Sequence, residues 1–214
     1  FRPDRFSRDS SEHVSASYAA LLRNIVDNVD QSIELLNILT DSQRSLVLDI
    51  WQGPRVANPD KSAVALFQDQ VHAQPDRPAV RCESRTLTYA ELDRHSDGVA
   101  AYLLSVSSEP EPIVAVIAQR GIEFTVALLG ILKAGAAFLP LDPAHPPARN
   151  LDMVADSGAR SILLGDGVLV EELGALGELP VDIALLPEVI REWDGRTRDV
   201  DRSRPDGLAY IIYT

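Results

Sequence analysis

The run IVAVIA at residues 113–118 constrains the fold more than any other stretch of the chain. A strand with one wet face alternates apolar and polar residues. Six apolar residues without a break suit a strand buried on both faces of a parallel sheet. The neighbouring sequence has the matching rhythm. A helix near 62–74 precedes short strands around 79–83 and 86–89, and a helix over about 90–105 carries Leu92, Val99, Leu103 and Leu104 on one side. After IVAVIA come a helix containing FTVALLGILKAG, the strand AFLPLD, a helix near 148–157, the strand SILLG, a short helix near 168–176, the strand VDIALL and a closing apolar strand, LAYIIYT. Gly135 is placed to stop the helix before AFLPLD. Strands alternating with helices of this length predict an α/β architecture with a mostly parallel sheet, flanking helices and right-handed crossovers.

The first fifty residues read differently. Over 10–30, Val14, Tyr18, Leu21, Leu22, Ile25, Val26 and Val29 recur at spacings of three and four, which predicts an amphipathic helix capped by Ser10 or Ser11. A shorter helix runs from Thr40 or Asp41 to about Trp51, with Leu46, Ile50 and Trp51 on its apolar side, and QGPRVANPDK then reads as a linker. The expected division is a helical appendage at 1–52, a linker at 53–61 and an α/β body at 62–214.

Charge and residue usage exclude several functions. A net charge of -12 opposes nucleic-acid binding, which needs a basic stripe to displace counterions from phosphates. No window approaches the roughly 20 apolar residues of a membrane-spanning helix, and FRPDRFSRDSSEH lacks a signal-peptide core. The single cysteine, Cys82, has no internal disulfide partner, so a reducing cytoplasm is expected. It falls in AVRCES, where it reads as a small core residue of a strand.

A catalytic constellation does not emerge from spacing. His13, His72, His95 and His145 are scattered without metal-ligand spacing, and His13 and His95 are expected on solvated helix faces. The paired acids Glu171 and Glu172 read as a solvated helix face. No G-x-S-x-G, H-E-x-x-H or G-x-G-x-x-G motif occurs. LAYIIYT is the exception of interest, read as a buried strand ending in a hydroxyl residue, because phosphate-holding loops commonly follow such strands.

Three segments in order, LTYAEL (87–92), LKAGAAFLPLD (132–142) and LAYIIYT (208–214), resemble the first three core motifs of the adenylate-forming superfamily. PLDPAHPPAR narrows the resemblance to adenylation domains of nonribosomal peptide synthetases, with Asn150 a departure where many relatives carry an aliphatic residue. FRPDRF, the helix to Val29 and NILTDSQRSLVLDIWQG resemble the end of a condensation domain and its linker. The resemblance implies the N-terminal part of the large subdomain of such a domain. The whole domain would use ATP and Mg²⁺ to convert an amino acid to an aminoacyl adenylate, then pass it to phosphopantetheine on a carrier domain. It implies Thr214 as the first hydroxyl of the phosphate-binding loop, no catalytic residue on this stretch, and a fragment inactive alone. It also implies Ala144 and Ala148 as the docking point of an MbtH-like helper protein. Alternatives are a piece of an acyl-CoA or aryl-acid ligase, or a non-catalytic split or docking segment.

Overall fold

The computed structural model describes residues 4–53, 60–168, 180–195 and 200–213. The chain forms two compact units, Phe1–Pro59 and Asp60–Thr214. The first holds helix α1 (Arg8–Asp27) and the short helix α2 (Asp41–Ser45), which continues as a π-turn over Leu46–Ile50. The cap of α1 is Ser7, whose hydroxyl accepts the Ser10 N–H at 3.1 Å, one turn earlier than the expected Ser10 or Ser11. Starting there also gives the Arg8–Glu12 pair its place one turn apart. Thr40 begins α2 through a capping box with Gln43, whose amide also donates to the His13 carbonyl at 3.2 Å and to the Ser17 hydroxyl at 3.1 Å. The apolar stripe of α1 is largely bare within this unit: Val14, Tyr18, Leu22, Ile25, Val26 and Val29 are all exposed.

The second unit is α/β, as the alternating pattern predicts. Helix α3 (Ala63–Ala73) leads to an antiparallel hairpin of β1 (Pro78–Cys82) and β2 (Arg85–Thr88). Thr88 ends β2 and starts α4 (Tyr89–Val106). Its hydroxyl accepts the Glu91 N–H, and the Glu91 carboxylate accepts the Thr88 N–H at 2.8 Å. This capping box is the physical content of LTYAEL. The Thr88 N–H and the Thr88 hydroxyl, which also donates to this carboxylate at 2.9 Å, hold the Glu91 carboxyl below its ordinary range.

The main sheet is parallel, in the order β4 (Ala137–Leu141), β3 (Ile113–Ile117), β5 (Ser161–Leu164), β6 (Asp182–Leu185). Central β3 is buried on both sides by simple alternation. Val114 and Val116 pack into one core with α4, α5 (Ile122–Lys133) and α7 (Leu186–Trp193), while Ala115 and Ile117 pack into a second with Met153 and Val154 of α6 (Pro147–Ser157). From β3 the chain steps one way to β4 and then back across β3 to β5. The crossover helix changes faces at the same point, as crossovers of constant hand demand.

Helix α5 lies close against α4: a Cβ added at Gly130 would stand 2.5 Å from the Val99 Cβ. It ends in a Schellman motif. Gly135, at φ +74°, donates to the Leu132 carbonyl and Ala136 to the Ile131 carbonyl.

Four further expectations change. VDIALL is shorter as a strand, because Leu186 opens the unforeseen α7 with Pro187 in its first turn, where a missing N–H costs nothing. The helix to Trp51 is α-helical only to Ser45. The described part of LAYIIYT, 208–213, is neither fully buried nor a full strand: it makes one parallel bridge, Phe138 to Tyr210, and Leu208, Tyr210 and Ile212 are exposed. Pro140 supplies the reason. Phe138 directs both its N–H and its carbonyl to this segment, bonding Ala209 and Ile211, each at 3.0 Å. The next N–H on that edge would belong to residue 140, and proline has none. His95 is only 20% exposed, with Nδ1 3.4 Å from Asp194 at the end of α7, so it lies against a helix end and not in solvent. His13 is exposed as expected. All but residue 168 of the short helix expected near 168–176, and with it Glu171 and Glu172, lie outside the described residues. Cys82 is half-buried against the first core.

Candidate functional site

In an open parallel sheet, ligands bind beyond the carboxyl ends of the strands, where the order of connection reverses. That reversal lies here between β3 and β5. A cleft of about 200 Å³ opens there, with Cys82, Arg85, Arg120, Gly121 and Asp166 among its lining. Arg85 is paired with Glu123 in the first turn of α5 at 2.5 Å. A larger hollow of about 410 Å³ lies at the opposite, amino end of the sheet, between Lys61–Val64, Ser107–Glu111 and Arg202–Ala209.

Segment 208–213 runs parallel to β4 and therefore towards the carboxyl edge. Three contacts fix it. The Tyr210 ring lies 5.6 Å from the Phe138 ring, Ile211 and Tyr213 pack on the second core, and the Tyr213 hydroxyl donates to Asp156 of α6 at 2.6 Å. The Asp156 carboxylate at that hydroxyl holds the Tyr213 phenol above its ordinary range. Thr214, the residue expected to open a phosphate loop, lies outside the described residues.

The turn after β4 is organised by Asp142. Its carboxylate accepts the Ala144 N–H at 2.8 Å, and its carbonyl accepts the His145 N–H at 3.1 Å and the Asn150 side-chain amide at 3.0 Å. Asn150 is 1% exposed, so the departure from an aliphatic residue ties the turn to the first turns of α6. Its Oδ1 has no protein partner, nor has the buried Nδ1 of His145. Ala144 and Ala148 are both exposed on this turn and on α6. Among the described residues, no group of three or more His, Cys, Asp or Glu side chains is disposed to hold a metal ion.

The residue that motif and spacing arguments passed over is Lys133. It is fully buried, at the end of a helix whose last two turns are otherwise apolar. Its ammonium donates to Asp93 Oδ1 and Asp97 Oδ1, both at 2.6 Å, and to the Asp93 carbonyl at 3.0 Å, using all three N–H bonds. The Phe67 ring sits 5.6 Å beneath it. Burial, together with the neighbouring Asp93 and Asp201 charges, pushes the Asp97 carboxyl up against the opposing pull of Lys133. A signal was available: one lysine in LLGILKAG, and two aspartates four apart on the preceding helix.

Comparison with known proteins gives this geometry a family. The family model for AMP-binding enzymes matches residues 67–214. Surfactin synthase subunit 2 of Bacillus subtilis is 31% identical over 100% of this chain, which covers 6% of that protein. Bacitracin synthase 3 of Bacillus licheniformis is 33% identical over 95% of this chain and is covered to 3%. The chain thus spans only a small part of the curated relatives it matches. Among solved structures, the nonribosomal peptide synthetase FmoA3 in its AMPPNP-bound form superposes with a TM-score of 0.70 at 26% identity, over 98% of this chain and 22% of that one.

Proposed function

Since the chain belongs to the AMP-binding enzyme family, we propose that residues 62–214 are the N-terminal part of an amino-acid-activating adenylation domain of a nonribosomal peptide synthetase. The complete domain joins an amino acid to the AMP moiety of ATP, releasing pyrophosphate, and passes the acyl group from the adenylate to the phosphopantetheine thiol of a carrier domain, releasing AMP. The observation that carries this reading is the order of the three motifs on the fold. LTYAEL forms the β2–α4 junction, LKAGAAFLPLD forms the end of α5 and β4, and residues 208–213 of LAYIIYT lie along β4 towards the carboxyl edge. FmoA3 was solved with AMPPNP and with α-methyl-L-serine-AMP.

ATP supplies the adenylyl group, and Mg²⁺ enters as its chelate. The contribution of this stretch is to aim the chain at the phosphates, with Thr214 opening the loop that holds them. Residues 1–52 are the end of a condensation domain and 53–61 its linker, and the assembly works in the cytoplasm. Ala144 and Ala148 offer the small, exposed side chains that an MbtH-like partner would clamp. Ala148→Glu then places an unpaired charge in an apolar contact and weakens that binding by about 2 kcal/mol or more by calorimetry.

The test is ATP–pyrophosphate exchange by the complete adenylation domain against each proteinogenic amino acid, with aryl and fatty acids as further arms. Exchange driven by one amino acid is expected, and none from residues 1–214 alone. Exchange driven by an aryl or fatty acid would transfer the domain to the acyl- and aryl-acid ligases. Exchange with no acid at all would leave a non-catalytic segment.

A further inference from the structure

Lys133 does more than fill a core position, because both of its ends are engaged. The ammonium is caged by Asp93 and Asp97 of α4 over Phe67 of α3, and Gln68 of α3 donates to the same Asp93 oxygen at 2.5 Å. The Lys133 backbone carbonyl, one of those a helix end leaves open, accepts the Arg202 N–H at 2.6 Å. Two residues on, Gly135 lies so close to Arg202 that an added Cβ would stand 2.9 Å from its carbonyl oxygen. Six residues after Arg202 begins the stretch that bridges to β4 and heads for the carboxyl edge.

Segment 208–213 is held to the second core and α6 by side chains, but its backbone pairing along β4 is sparse. It makes a single bridge, and Pro140 withholds the next ladder bond. Its register along β4 must therefore be set partly from upstream, where Arg202 docks on the end of α5. That end is fixed laterally by the buried ammonium. A buried cation with three satisfied donors has one low-energy placement, whereas an apolar side chain there could slide.

We propose that Lys133 is a positioning residue for the phosphate-binding segment: its cage with Asp93 and Asp97 fixes the end of α5, and the Lys133 carbonyl anchors Arg202 and so the register of 208–213. The inference rests on the adenylation reading only for what the positioned segment binds.

The experiment uses the complete adenylation domain, comparing wild type with Lys133→Met and Asp97→Asn by amide hydrogen exchange and by exchange kinetics. In Lys133→Met, protection of the Arg202, Phe138 and Ile211 amides should fall at least tenfold more than that of the β3 and β5 amides. The KM for ATP should rise on the order of tenfold while the KM for the amino acid holds, since the loss is in placing the phosphates. Should Lys133→Met not fold, Asp97→Asn, which keeps the cation and one carboxylate, decides by the same local loss on a smaller scale. A uniform fall in protection, or none at 202–211, would overturn the proposal. So would equal rises in both KM values. A wild-type domain with no exchange activity would remove the adenylation reading, and the protection pattern would still test the anchor.

Discussion

Strand β3 and segment 208–213 are built from similar residues and live in opposite surroundings. Ile113–Ile117 has a strand on each side and a helical layer on each face, and Val114 to Ile117 are at most 1% exposed. Segment 208–213 has one bridge on one side, and its Tyr210 and Ile212 remain 54% and 61% exposed. Apolar content measures a capacity for burial. Whether it is used depends on what the neighbours present: β3 has a packed core on both faces, and 208–213 has one only under Ile211 and Tyr213.

The largest separation between the two regions should come from a buried charge. Val116→Asp places a carboxylate among Val99, Val126 and Leu163 with no partner in that core, and a cost above about 4 kcal/mol, or outright unfolding, is expected. Ile212→Asp should change stability by about 0.5 kcal/mol or less, since its side chain is already in contact with water. Urea denaturation of a chain containing 60–214 measures both, and comparable losses would break the contrast.

A smaller effect tests how tightly the layer over β3 is packed. Gly130→Ala gains up to about 1 kcal/mol of helix propensity. Its new methyl meets the Val99 Cβ at 2.5 Å and the Ser96 carbonyl at 2.9 Å, neither of which can swing away. Overpacking of this kind costs about 1–3 kcal/mol and should win. A variant that melts higher than wild type would show that α4 and α5 can separate freely.

Next in size is the cap that starts α4. Thr88→Ala removes the acceptor for the Glu91 N–H, with an expected loss of about 1 kcal/mol in the same denaturation experiment.

The smallest prediction concerns pH. The Asp97 carboxyl is raised above its ordinary value of 3.8, chiefly by burial. The folded chain therefore holds this proton more tightly than the unfolded chain. Its contribution to stability is full below the ordinary value and is lost as pH rises through the raised one. Unfolding midpoints of wild type and Asp97→Asn, followed upward from pH 4, should show this loss in wild type alone. Parallel curves would remove Asp97 from the account.

The family lay in the residues themselves. LTYAEL, LKAGAAFLPLD and LAYIIYT are local signals, and each encodes a junction that short-range chemistry can make: a capping box, a Schellman stop, an apolar run. The parallel sheet followed from IVAVIA, because continuous apolarity has few other outlets in an α/β chain. Three things needed the tertiary structure. Helix α7 was hidden because Leu186 and Pro187 continue an apolar strand pattern until packing on α4 decides otherwise. The outer segment stopped at one bridge because a proline on another element removed a donor. Lys133 is one cation in an apolar run, and its burial became possible only when α4 brought two carboxylates and a carbonyl within 3.0 Å. Local sequence sets which backbone bonds a segment can make within itself. Partners forty residues away decide whether a charge can be buried or an apolar face left bare.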